Sequence, residues 1–399
     1  MKLRKHADYD FLNTRVQNGE TVLPTSEEMA LITGIEQRLD LRNVDCSNMD
    51  LSTYNPRLIT FDSKTIFPKN SDKLPQGFNP SAILEERKNP GVNVRNLHAK
   101  GITGKGISVA IIDQTLGSHR EYADSLVFYK EFDEFLFSNA SMHGSAVTSI
   151  LVGKTCGIAP EAKVYYYSAQ NSKICKTSQI KKIFSHNYAA ALNDILNLNE
   201  TLPADKKIQA VSVSWGDMSD VDGKEEWIKA FNRAKEMGVA VICTSLEKDY
   251  GLRICSLGLS IEGNPDNPFD YVAGPWKQNS SADVLAFPVG NKTFAAPQGD
   301  DVYMHASQGT WSWVSPYYTG LFALAKQVNK DITLEAFHQK ALQTGCFREG
   351  LGTIVQPEKL IESLQREQQR QPILIVSAQD KNQQTVSENS NKNRIHIKD

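Results

Sequence analysis

No stretch of the 399-residue chain approaches eighteen consecutive apolar residues, so nothing in it reads as a membrane-spanning helix. The first twenty residues carry basic clusters without the apolar run of a secretory signal, which points to a cytoplasmic protein. Cysteines are few: Cys46, Cys156, Cys175, Cys243, Cys255 and Cys346 are scattered, with no CxxC pair. That argues against a disulfide framework and against a zinc site, and leaves free thiols as the expectation. An excess of either charge is also missing, since 44 Lys and Arg face 46 Asp and Glu for a net charge of −2. Basic residues are dispersed and no long helix carries a basic face, so neither nucleic acid nor a membrane is expected as a partner.

What is present is 40% apolar and 23% charged residues, a balance that excludes a disordered chain. At about 150 residues per domain the length suggests two to three units, or one large domain with appendages. Thr25 and Glu28 form a possible capping box ahead of Met29, Ile32, Ile35 and Leu39, which predicts one short amphipathic helix. The following RNVDC and SNMDL could be two rungs of a pentapeptide coil, but two rungs cannot bury a core, and a loop is expected. Residues 58–91, rich in Pro, Asn, Ser and Gly, read as a connector.

From Gly106 onward, short apolar runs alternate with helical stretches. GISVAIID, KVYYYSA, QAVSVSW and GVAVICTS read as strands. The helices are the stretch after His143, QIKKIFSHNYAAALNDILN and EEWIKAFNRAKEM. Continuous apolar strands between amphipathic helices predict an α/β fold, a mostly parallel central sheet with helices on both faces. The expected organisation is an N-terminal extension and connector over 1–77, a main domain over 78–364, and a polar tail over 365–399 in which ILIV is the one apolar run.

An open parallel sheet places its active site at the carboxyl ends of strands and the amino ends of the helices that follow. Asp113 closes VAIID, His143 opens MHGSAVTSILVG and Ser312 opens the helix of GTWSWVSPYYTGLFALAKQ. Taken singly, an Asp or a Ser in such a place is usually a cap. Taken together and in this order, the three are far more specific.

Here the sequence resembles the subtilisin-like serine peptidases, or subtilases, whose triad runs Asp, His, Ser along the chain. GKGISVAIID is similar to the family's Asp segment, HGSAVTSILVG with CGIAPEAKVYYY to its His segment, and GTWSWVSPYYTGLFAL to its Ser segment. The resemblance covers about Phe78 to Leu364. It implies the subtilisin-like α/β fold and peptide-bond hydrolysis through an acyl-enzyme. Ser312 would be the nucleophile, His143 the general base and acid, and Asp113 the group that orients and stabilises His143. His119 is the rival histidine, but it matches a surface-loop position of the family. By the same resemblance Ser214, Trp215 and Gly216 form the strand end that pairs with an extended peptide. Glu247 and Glu262, with Asp249, fall where relatives complete the specificity pocket; either they favour Lys or Arg before the cleaved bond, or they are ordinary surface carboxylates.

Four features depart from the family. Counting from Gly238 puts Glu247, or one step of slippage away Leu246 or Lys248, where relatives carry the asparagine that completes the oxyanion hole. Losing one such donor costs roughly 3 to 4 kcal/mol, a magnitude established in a subtilisin itself. Thr244, Ser245 or another donor would have to substitute. Trp311 and Trp313 flank Ser312, and they either shape a pocket or pack the helix on the sheet. Seventeen residues from His143 to Pro160 leave no room for the family's calcium loop, so no metal and no cofactor is expected. Residues 1–75 lack the pattern of a removable pro-segment, and a retained extension is expected. The resulting expectation is a cytoplasmic serine endopeptidase acting on a restricted set of peptide or protein substrates. The alternative is a weak or inactive pseudoprotease that binds or regulates a protein.

Overall fold

The computed structural model describes residues 1–7, 39–132, 139–169, 185–216, 221–260, 262–274, 281–307 and 309–369, together with the short strands Arg15–Gln17, Glu20–Val22, Ser172–Ile174 and Lys181–Ile183. The helix expected from Thr25, Cys175 and the tail beyond residue 369 lie outside the described residues.

Beyond the Arg15–Gln17 and Glu20–Val22 hairpin, the N-terminal segment supplies β1 (Leu39–Asp40) and β2 (Ile59–Asp62), followed by helices α1 (Pro80–Glu86) and α2 (Val94–Ala99). Asn79 caps α1 by accepting from Ala82 N, with Pro80 at the first helical position, where its missing N–H is no loss. Next come β3 (Ser108–Asp113), β4 (Leu126–Phe132), α3 (Met142–Val152), β5 (Lys163–Ala169), α4 (His186–Thr201), β6 (Ile208–Val213), α5 (Lys224–Glu236), β7 (Ala240–Cys243) and α6 (Leu246–Tyr250). The last part contains β8 (Ile254–Leu259), β9 (Tyr271–Ala273), β10 (Leu285–Pro288), β11 (Lys292–Ala295), β12 (Tyr303–Ala306), α7 (Val314–Val328), α8 (Leu334–Thr344), β13 (Cys346–Arg348) and β14 (Gly352–Ile354).

The central sheet has the order β7-β6-β3-β5-β4, and every pairing in it is parallel. Every residue of β3 is buried, and its side chains alternate between two cores: Val109 and Ile111 join one, Ala110 and Ile112 the other. The second core lies under α4 and α5, where Trp227, Ala230, Phe231 and Ala234 give the i, i+3, i+4, i+7 stripe of an amphipathic helix. The first core holds α3 and α7, whose residues 144–152 and 314–326 are all buried, and the two helices pack on each other. α7 packs against β3, β6 and β7 and also against β10 of a second sheet, ordered β9-β8-β10-β14-β13.

Three departures from the sequence reading have physical causes. The QIKKIF stretch expected to open a helix instead places Lys181–Ile183 in a hairpin with Ser172–Ile174. The helix begins at His186, where Ser185 donates both its N–H and its hydroxyl to Asp222 O. β4 joins the central sheet although it was not anticipated. The stretch read as a connector contains β2, which pairs antiparallel with β12 and parallel with β1. Around β2 the N-terminal segment gathers a third cluster, in which Phe61, Phe67 and Phe78 meet edge to face at 5.3–5.6 Å.

Phe61 is fully buried and contacts His305 of β12 at 5.1 Å between ring centres. Phe61→Ala is therefore expected to destabilise the whole protein by about 3 to 5 kcal/mol in urea unfolding, rather than to melt the N-terminal segment alone.

Candidate active site

The all-parallel sheet delivers Asp113 at the carboxyl end of β3, and the next turns bring α3 back with His143 on its first turn. Asp113 Oδ1 lies 2.6 Å from His143 Nδ1 and also accepts the Gln114 N–H at 2.8 Å. Nδ1 donates to the carboxylate, which leaves Nε2 as the nitrogen able to take a proton. The Asp113 side chain is 3% exposed and that of His143 23%, so the carboxylate is shielded and the imidazole partly open. Burial alone would push the His143 pKa down. The Asp113 charge and then its hydrogen bond more than reverse this, and hold the pKa above the ordinary histidine value.

The segments around the pair are laced together. Ser141 caps α3 by accepting the His143 N–H at 3.1 Å and donates its hydroxyl to the Gln114 side chain. Ser141 N–H also donates to Thr115 O at 2.9 Å. Residues Leu3–Ala7 run between the two loops, with Arg4 N–H donating to Leu116 O and Ala140 N–H to Lys5 O. Gly144 permits the close approach: a Cβ there would sit 2.6 Å from Tyr166 Oη and 2.7 Å from Thr115 O. The sequence reading missed these supports. The His-Gly pair opening a helix of small residues was their only trace.

Ser312 lies in the 3₁₀ turn Trp311–Trp313 that leads into α7, and this turn packs against α3. Its Oγ is 3.5 Å from Ser214 O, and Ser214 Oγ donates to Ser312 O at 2.7 Å. The structure thus joins Asp113 to His143 and Ser312 to the end of β6; among the described residues no hydrogen bond links Ser312 to His143. Ser214, Trp215 and Gly216 follow β6 and are half-buried, with the Trp215 ring edge-on to Tyr188 at 5.0 Å. Thr244 Oγ1 and Ser245 N lie against Gly216, where a Cβ would sit 2.4 and 2.6 Å from them.

The remaining candidates separate. Trp313 is 4% exposed and packs edge-on against Phe294 at 4.5 Å, so it serves the core, whereas Trp311 is half-buried at the turn. Glu247 is on α6 and pairs with Arg253 at 3.2 Å, and Leu246 is fully buried. Asp249 accepts from Ser245 Oγ at 2.6 Å. Glu262 is exposed in the turn after β8, and no hydrogen bond or ion pair among the described residues joins it to Glu247. His119 is buried, with Nδ1 accepting the Glu121 N–H and Nε2 donating to Val302 O, so both its nitrogens are committed to structure. Among the described residues no group of three or more His, Cys, Asp and Glu could hold a metal ion, and no helix is long and apolar enough to cross a membrane.

The subtilase family model matches residues 104–393. The chain belongs to the subtilase family. Subtilases are serine peptidases, acting on peptide or protein substrates, and the subtilisin-like fold matches the α/β architecture expected from sequence. Solved structures similar to this subtilase include the subtilase cytotoxin SubAB, at 13% identity over 70% of this chain and 96% of that one, with a TM-score of 0.53. A protease from Pseudoalteromonas arctica matches at 17% identity over 72% and 98%, with a TM-score of 0.49. The prenylagaramide maturation protease PagA matches at 17% over 68% and 98%, with a TM-score of 0.48. No curated protein matches the chain.

The sign of the His143 shift is testable. By NMR titration the imidazole should have a pKa above 6.5 in the native protein. In Asp113→Asn, where burial remains and the carboxylate charge is gone, it should fall below 6.5. The raised value also means that the imidazolium contributes stability below the ordinary histidine pKa, and that this contribution is lost as pH rises through the folded-state value.

Proposed function

We propose that this subtilase is a cytoplasmic serine endopeptidase that cleaves a restricted set of peptide or protein substrates through Asp113, His143 and Ser312. The observation that carries the reading is the 2.6 Å bond between Asp113 and His143, with Ser312 at the head of the buried helix that packs on α3. A serine hydroxyl attacks a carbonyl only when a base takes its proton, and an imidazole is a competent base only in the right tautomer. Asp113 sets that tautomer. His143 Nε2 then accepts the Ser312 proton and later returns it to the leaving amine. Serine–histidine hydrogen bonds of this kind tighten when substrate binds.

The amino end of α7 directs partial positive charge toward the developing oxyanion. Thr244 and Ser245, which lie against Gly216, are the candidates for the second donor in place of the family's asparagine. Ser214, Trp215 and Gly216 would pair with the acyl side of the peptide, and Trp311 would wall the cleft beside Ser312. Glu247 and Glu262 would act as separate surface carboxylates. Residues 1–77 would stay attached to the main domain, a reading supported by the pairing of β2 with β12.

One observation favours the second reading, a pseudoprotease that binds or regulates a protein: the position counted for the oxyanion amide holds Glu247, a carboxylate paired with Arg253. A fluorophosphonate probe separates the two. Peptidase function predicts covalent labelling of the folded protein that disappears in both Ser312→Ala and His143→Ala. A folded wild-type protein that does not label is the result expected of the pseudoprotease.

A further inference from the structure

A cavity of about 190 Å³ opens between the N-terminal segment and the second sheet. An apolar cavity of roughly 150 Å³ takes one benzene ring, so this one has the size for a single large side chain. Pro56 of the N-terminal segment, with Phe78 and Ile83 just after it, walls one side, and Leu259 and Val272 of β8 and β9 the other. It reaches Gly309, three residues and therefore at most about 11 Å from Ser312. Ser214, Trp215 and Gly216 are not among its walls, so it is distinct from the edge assigned to the acyl side of the peptide.

Two features say what would occupy it. β9 pairs with β8 on one side only and forms the edge of its sheet among the described residues, with Val272 46% exposed at the mouth. An unpaired edge accepts an extended chain through its backbone groups, while an adjoining pocket takes a side chain. The polar members of the wall select against positive charge. Arg87 is 7% exposed and donates to Gly263 O at 2.7 Å, placing a cation in the wall that repels Lys and Arg. Asn291 donates through Nδ2 to Ser260 O, which turns its Oδ1 toward His305 Nε2 at 2.8 Å. Burial, and then the nearby Arg87 charge, hold the His305 pKa down at about 3, so His305 adds no charge to the wall.

Resting on the peptidase reading above, we propose that this cavity is the subsite for a largely apolar side chain of leucine to tyrosine size, and that it rejects cationic ones. The substrate would carry it within the three residues after the cleaved bond. The N-terminal segment thereby becomes part of the specificity surface.

Fluorophosphonate labelling of the wild-type protein comes first. A peptide library with one fixed acyl side and varied residues after the bond is then cleaved, and the products are identified by mass spectrometry. At one of those three positions, Leu, Phe or Tyr should exceed Lys by roughly ten- to a hundredfold in kcat/KM. Ala273→Trp, at the exposed mouth, should reduce that ratio to about twofold or less. Ile83→Ala, which enlarges the opposite wall, should move the optimum from Leu toward Trp, so the two variants do not depend on one folding outcome. A labelled enzyme whose products show no apolar preference at these positions, or whose preference survives both variants, overturns the subsite alone. A folded protein that does not label overturns the peptidase reading and the subsite with it.

Discussion

The site depends on two helices that are buried on every face. α3 carries His143 on its first turn and α7 starts just after Ser312, and each is enclosed by packing instead of having one side in water. Such helices must find partners for their polar side chains, which all but the buried Ser315 hydroxyl do. Thr148 and Thr319 do so by donating to the carbonyls of Gly144 and Ser315 one turn back, and Ser149 donates to Ala146 O. Small residues let the backbones close up; a Cβ at Gly320 would sit 2.6 Å from Ile158 Cβ. The relative placement of the imidazole and the serine is thus a property of the core, with little left to loop conformation.

Electrostatics works within that frame. A nearly buried carboxylate is costly unless charge and hydrogen bonds offset its desolvation. Asp113 has the Gln114 N–H and the His143 ring as partners, and its charge and its hydrogen bond to that ring raise the affinity of His143 for a proton. The Glu247 carboxylate is engaged by Arg253, which also holds Asp283 at 2.9 Å.

The four strands read from the sequence, now β3, β5, β6 and β7, were legible because a parallel strand covered on both faces is a continuous apolar run. β4 was not, since LVFYKEF is mostly half-exposed and carries Lys130 and Glu131. The second sheet and the β2–β12 pairing were hidden by short strands with distant partners. Asp113, His143 and Ser312 stood out through their positions at element ends. The lacing by Ser141 and by Leu3–Ala7 did not, because its partners are set by tertiary structure; Arg4, for example, binds Glu131, 127 residues away. Trp311 and Trp313 looked equivalent in sequence. In a turn with three residues per revolution, positions two apart point in different directions, and only Trp313 enters the core.

The pairing of β2 with β12 also has a consequence for how the chain is made. Phe61 and its phenylalanine neighbours emerge from the ribosome long before His305, the residue opposite Phe61 in the finished sheet. Until then the β2 edge has unmet backbone groups beside an aromatic cluster, the kind of surface on which nascent chains aggregate. Closing so long a loop also slows folding, because its entropy is lost before the contact forms. The N-terminal segment therefore stays exposed to such association until its partner strand has been made.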